Sequence, residues 1–99
     1  MTSELKGGVL QGVSRTVTVC NQRGLHARAA AKFVKTASMF AAEVTVSRCG
    51  QTVGGESIMG LMMLAAGPGC DMEIEASGAD CEEALDTLVR LVERGFDEN

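Results

Sequence analysis

The stretch 13-VSRTVTVCNQRGLHARAAAKFVKTA-37 changes its period halfway along, and that change sets the architecture. From Val13 to Cys20 the residues alternate. Val13, Arg15, Val17 and Val19 share one face, and Ser14, Thr16, Thr18 and Cys20 share the other. β-Branched side chains at period two predict a strand. Asn21 to Gly24 is turn material. From Ala27 the period lengthens, with Ala30, Phe33, Val34 and Ala37 at i, i+3, i+4 and i+7 on the apolar face of a helix. The chain's one histidine, His26, stands just ahead of that helix, with Arg28 two residues beyond it.

The two periods recur along the chain. Glu43 to Arg48 alternates around Val44 and Val46, and Cys49-Gly50-Gln51 predicts a hairpin into a brief strand near Thr52 and Val53, ended by Gly54-Gly55. Ser57 to Ala66 reads as a helix of about two turns, with Ser57 as N-cap and Gly67-Pro68 as the stop. Asp71 to Ala76 sets Met72, Ile74 and Ala76 against Asp71, Glu73 and Glu75, a half-exposed strand. Asp80 and Glu83 have the spacing of a capping box. They open a helix whose face is Cys81, Ala84, Leu85, Leu88, Leu91 and Val92. The order is βαββαβα. Four one-sided strands need a cover on one face, and three amphipathic helices supply it. The expected fold is α+β: an open-faced two-layer sandwich with a four-stranded antiparallel sheet. Residues 13–96 form this single domain, 1–12 are a loose lead-in and 97–99 a tail.

A chain of 99 residues fits one domain, and its net charge of −4 argues against nucleic acid, which requires a basic face. The charge is unevenly spread. Arg23, Arg28, Lys32 and Lys35 lie between Asn21 and Phe40 with no acid among them, whereas ten acids and two arginines follow from Asp71 onward. The segment around His26 is therefore locally positive, suited to a small anion or an acidic partner. Cys20, Cys49, Cys70 and Cys81 are scattered without a CxxC pair, so no metal site is expected and the thiols read as reduced, mostly buried hydrophobes. Thr2 to Gly8 lack the apolar run of a signal peptide, and no stretch approaches the roughly 20 apolar residues of a membrane helix. A cytoplasmic protein with no membrane insertion is expected.

An imidazole just before a helix has the backbone N–H groups of Ala27, Arg28 and Ala29 close by, without partners inside the helix. The helix dipole adds about half a positive charge at that end. The Arg28 guanidinium can grip phosphate oxygens in pairs. An imidazole nitrogen is also a good nucleophile and a good leaving group near neutral pH, so it can accept a phosphoryl group and pass it on. On spacing alone, however, a lone histidine in this position is more often a surface or capping residue.

The segment GLHARAAAKFV resembles the active-site segment of the histidine-containing phosphocarrier protein HPr, of the phosphoenolpyruvate-dependent phosphotransferase system. The segment 57-SIMGLMMLAAGPG-69 is similar to that family's regulatory-serine helix, and the βαββαβα order is that family's sandwich. The likeness runs from about Arg15 to Phe96. It implies that His26 accepts the phosphoryl group, that Arg28 stabilises it and that Ser57 is a regulatory phosphosite. It further implies a monomeric covalent carrier rather than a free-standing catalyst, with no cofactor. The implied partners are enzyme I as donor, an enzyme IIA-type acceptor and an HPr serine kinase/phosphorylase. One departure stands out. The family usually has proline after the HAR triplet, and this chain has Ala29, which restores one N–H at the anion site. Together with the GFDEN ending, Ala29 is more similar to the regulatory, nitrogen-related proteobacterial branch than to a sugar-uptake member.

In the second helix, Ile58, Met59, Leu61 and Met62 are expected as the docking surface, because flexible methionines suit a surface that accepts several partners in turn. Ser57 is at minimum an N-cap. Phosphate there would favour the helix start yet set negative charge beside the docking patch, an inhibitory switch. Two other classes compete. A ferredoxin-like small-ligand regulatory domain with no phosphoryl transfer would leave His26 without a role and the third helix unexplained. A metallochaperone would need a paired-cysteine loop, which is absent.

Overall fold

The alternation of the first strand holds in three dimensions, and its one exception on the inner face explains how the sheet edge is finished. In the computed structural model, which describes residues 12–64 and 66–98, β1 spans Gly12–Thr18. It is followed by α1 (Ala27–Ala37), β2 (Glu43–Arg48), β3 (Gln51–Gly54), α2 (Ile58–Met63), β4 (Asp71–Ser77) and α3 (Cys81–Glu93), then a short 3-10 turn, Gly95–Asp97. The expected lead-in lies outside the described residues except for Gly12, which already belongs to β1. The four strands form one antiparallel sheet in the order β1-β4-β2-β3.

Register places like with like. Val17 faces Met72, Val46 faces Ile74, and Val44 faces Ala76, all buried beneath the helices. Arg15, opposite Ile74, takes the inner face at the open edge and reaches over to Asp86 of α3 at 3.7 Å. An inward charge on an edge strand discourages pairing with another chain. On the other face Thr16, Glu73 and Ser47 line up across three strands. Thr18 donates to Asp71 at 2.6 Å, and Ser47 shares a hydrogen bond with Thr52 at 2.8 Å. That face is polar and uncovered.

The core lies between sheet and helices, around Phe33, Leu61, Met72, Ile74, Leu88 and Phe96. Each such side chain contributes roughly 1.5–3 kcal/mol relative to exposure. The expected apolar faces of α1 and α3 turn inward. Ala30, Phe33 and Ala37 are buried in α1, while Val34 is only half-buried and Ala29 joins the buried set. Cys81, Ala84, Leu85, Leu88, Leu91 and Val92 are buried in α3. The β2–β3 hairpin turns through Cys49 and Gly50, both at positive φ (53° and 82°), as a two-residue primed turn requires.

Two expectations are corrected. Asp80 does not cap α3. Its carboxylate accepts the N–H groups of Ala41 (2.9 Å) and Ala42 (2.8 Å), pinning the α1–β2 connection to the start of α3. Two charge-assisted bonds to loop donors outweigh one cap bond. The cysteines are free, but they are not mostly buried: Cys20 and Cys49 are exposed and Cys70 half-buried, leaving Cys81 in the core. Cys20 and Cys49 sit in connections between elements, where the chain faces water.

Candidate functional site

The turn from β1 into α1 is fixed by Asn21 and Gly24. Gly24 donates its N–H to the Asn21 carbonyl (3.1 Å), and the Asn21 side-chain amide donates back to the Gly24 carbonyl (2.9 Å). Gly24 has φ +63°, and a Cβ there would stand 2.2 Å from the Ala66 carbonyl oxygen. Only glycine allows that approach, which lets Leu25 donate to the same carbonyl at 3.0 Å. The loop after α2 thereby clamps the segment that carries the histidine.

His26 is the N-cap of α1. Its backbone is extended (φ −74°, ψ 178°), its carbonyl accepts from Ala30 at 2.8 Å, and its Nδ1 accepts the Arg28 N–H at 3.3 Å. The N–H groups of Ala27 and Ala29 have no partner among the described residues. Ala27, Arg28 and Ala29 are thus brought together with the Nδ1 side of the ring. The Arg28 side chain is exposed and makes no hydrogen bond or ion pair among the described residues, so its guanidinium is free to swing to an anion.

The opposite edge of the ring faces a residue absent from the sequence expectation. His26 Nε2 meets a carboxylate oxygen of Glu98, and the other oxygen accepts the Asn21 amide at 3.0 Å. These bonds, first that to His26 and then that to Asn21, hold the Glu98 carboxyl below the usual carboxylate range. Residues 97–99 were expected as a tail; instead Asp97 and Glu98 pack back on the site. Gly95, Phe96 and Asp97 all have positive φ (65°, 56° and 61°). For Phe96 and Asp97 that backbone costs about 1–2 kcal/mol each. Full burial of Phe96, an Arg94–Asp97 ion pair at 2.8 Å and a Lys32 bond to the Phe96 carbonyl at 2.8 Å hold the turn.

Ser57 lies at the second helix start. Its Oγ accepts the Gly60 N–H at 2.9 Å, so it caps α2. At the other end Arg48 donates to the Leu64 carbonyl at 2.8 Å. Of the expected docking residues, Ile58, Met59 and Met62 are exposed (40%, 71% and 39%), whereas Leu61 is fully buried and cannot be contact surface. Leu61 is the residue that anchors this short helix to the core. Met63, not expected there, adds another exposed side chain at 67%.

No helix among the described residues is long and apolar enough to cross a membrane. The family model described as "PTS HPr component phosphorylation site" matches residues 13–94. The "Phosphocarrier protein HPr" of Cupriavidus necator is 45% identical over 86 residues, covering 87% of this chain and 97% of that protein. The "Phosphocarrier protein NPr" of Shewanella violacea is 42% identical over 86 residues, 87% of this chain and 94% of that one. The crystal structure of an HPr from Thermoanaerobacter tengcongensis superposes with a TM-score of 0.84 at 41% identity, covering 88% of this chain and 98% of that chain. With the four-stranded sheet, the three helices and these identities over nearly the whole domain, the chain belongs to the HPr family of phosphocarrier proteins of the phosphotransferase system.

Proposed function

We propose that this protein takes a phosphoryl group from phospho-enzyme I onto His26 and hands it to an enzyme IIA-type acceptor. The observation that carries the reading is the cap. His26 Nδ1 points its lone pair at the Arg28 N–H, so a group bound there sits among the first donors of α1. The Nδ1 lone pair forms the bond to phosphorus. The bond from phosphorus to the donor breaks, and its electron pair stays with the donor. The phosphoryl oxygens then take the N–H groups of Ala27, Arg28 and Ala29 and the Arg28 guanidinium, at the positive end of the helix dipole. Ala29, where the family usually has proline, supplies one donor more. In this reading the protein is a carrier rather than a catalyst, since the phosphoryl group leaves again and nothing is turned over, and we take it to act as a monomer. Incubation with phosphoenolpyruvate and an enzyme I should add one phosphoryl mass that acid removes and base does not. Failure to gain that mass would overturn the proposal.

Arg28→Ala should fold like the parent, because the side chain is exposed and unbound. Losing a charge-assisted contact of about 1.5–3 kcal/mol should slow transfer roughly ten- to hundredfold. Stopped-flow transfer from phospho-enzyme I measures this, and unchanged kinetics would remove Arg28 from the site.

We assign regulation to Ser57, as the target of an HPr serine kinase/phosphorylase. Ser57 borders the exposed Ile58, Met59, Met62 and Met63 that form the docking patch. Ser57→Asp should keep its melting temperature, since a carboxylate can replace the hydroxyl as cap of α2. A new negative charge at the rim of the patch should lower the rate of transfer from enzyme I by roughly tenfold at low salt. Transfer at the parent rate would leave Ser57 as a cap alone. The regulatory, nitrogen-related branch is assigned from Ala29 and the GFDEN ending. Preferential transfer to a nitrogen-type enzyme IIA over a sugar-type one is its test. A small-ligand domain of ferredoxin-like type is set aside, because α3 and the family membership leave it nothing to explain.

A further inference from the structure

Nδ1 can attack phosphorus only while it carries no proton. The two ring nitrogens of a neutral imidazole share one proton, and the hydrogen bond made by one nitrogen decides the state of the other. On His26 the Nδ1 edge meets a donor, the Arg28 N–H, and the Nε2 edge meets an acceptor, the Glu98 carboxylate. We propose that Glu98, itself held by Asn21, is a positioning residue that keeps the ring proton on Nε2 and leaves Nδ1 as the nucleophile. This assignment rests on the reading of His26 as the phosphoryl site.

The way Asn21 is placed supports it. Asn21 is buried, and both its amide donations are used, one to the Gly24 carbonyl and one to Glu98. Its own carbonyl oxygen is buried without a partner. Flipping the amide would turn that oxygen toward two acceptors and lose both bonds. The side chain therefore leaves its oxygen unsatisfied and keeps its N–H on Glu98. The strained turn through Phe96 and Asp97 brings Glu98 across from the other end of the domain, 72 residues from His26.

Most of the surrounding charges are engaged elsewhere, and of the cations besides the ring only Arg23, among the described residues, acts on Glu98. Lys32 is bound to the Phe96 carbonyl and Arg94 to Asp97, while the Cys20 thiol lies against the carbonyls of Val92 and Glu93. Arg23 and Arg28 remain as the cations lining the cleft, together with Glu93. When Nδ1 accepts the phosphoryl group its lone pair is consumed and no proton leaves, so the ring becomes a cation with its proton on Nε2. The Glu98 carboxylate beside that proton stabilises the cation. Transfer onward returns the electron pair to Nδ1 and restores the neutral ring. The chemistry resembles that of a carboxylate orienting a histidine beside a nucleophile, except that here the imidazole is the nucleophile.

The test compares parent, Glu98→Gln, Glu98→Ala and Asn21→Ala, with folding checked by circular dichroism. Nitrogen-15 NMR of the unphosphorylated proteins reads which ring nitrogen holds the proton. The parent should hold it on Nε2, and Glu98→Ala should show a mixture. In Glu98→Gln the Asn21 N–H takes the amide oxygen and turns the amide N–H toward Nε2, moving the ring proton to Nδ1. Glu98→Ala should also slow transfer from phospho-enzyme I by about tenfold, the loss seen when a partner that orients a metal-bound imidazole is removed. In phosphorylated Glu98→Gln the ring should lose its Nε2 proton at lower pH than in the parent. The amide carries no charge to stabilise the cation and, with its oxygen held by Asn21, presents an N–H to Nε2. Asn21→Ala should fall between parent and Glu98→Ala. An unchanged tautomer in folded Glu98→Ala, or an unchanged pH profile in Glu98→Gln, would overturn the role of Glu98. If the parent takes no phosphoryl group while its tautomer depends on Glu98, the reading of His26 fails instead, and the two failures are distinct.

Discussion

His26→Ala is expected to lose all phosphoenolpyruvate-dependent labelling while remaining folded. The chain has a single histidine, so no second imidazole can take over. In the proposed reaction the substitution removes the lone pair that attacks phosphorus, and a methyl group has nothing to offer in its place. It also removes the Nδ1 cap on the Arg28 N–H, which costs about 0.5–2 kcal/mol. A domain with roughly 5–15 kcal/mol of stability survives that loss. Intact mass after incubation with phosphoenolpyruvate and enzyme I separates the outcomes. Any acid-labile phosphate left on folded His26→Ala would show that another residue is the acceptor.

Gly24→Ala should be the most damaging single-atom addition near the site. Its backbone would sit at φ +63°, and its Cβ would lie 2.2 Å from the Ala66 carbonyl oxygen, with Gly67 Cα at 3.0 Å. The left-handed conformation costs an alanine about 1–2 kcal/mol. Moving the Ala66 carbonyl aside breaks the Leu25 bond and adds about 0.5–1.5 kcal/mol. The sum, roughly 1.5–3.5 kcal/mol, should lower the melting temperature by about 6–28 °C in a domain of this size. Because the turn that carries His26 must shift, transfer should fall as well. A melting temperature within a few degrees of the parent would show that the loop after α2 yields freely.

The strands and helices were legible because each has one buried face. Val17 with Met72 and Val46 with Ile74 write period two, and Phe33 or Leu88 write the helical period, since neighbours a few residues apart meet the same environment. His26 and its α1 donors were legible for the same local reason. Glu98 was not, because its partners lie 72 and 77 residues away and no spacing rule connects them. The strain at Phe96 and Asp97 that aims it leaves no mark in composition. Asp80 failed as a cap because two loop donors from residues 41 and 42 compete for it, which the Asp80–Glu83 spacing cannot reveal. Leu61 failed as contact surface because a six-residue helix needs at least one anchor, and the pattern around it is apolar on all sides.

The strand order β1-β4-β2-β3 governs the sequence of assembly. β2 and β3 can pair across their two-residue turn as soon as both exist, but β1 has no partner in the sheet until β4 is available. β4 in turn holds β1 and β2 on its two sides. The loop between β1 and β4 must therefore close late, and its entropy is lost before most long-range contacts form, a topology that slows folding relative to a helical bundle. A chain in which only β2 and β3 have paired lacks the β1–β4 seam. On the proposed reading, labelling of His26 during refolding should appear only once the β1–β4 seam has closed.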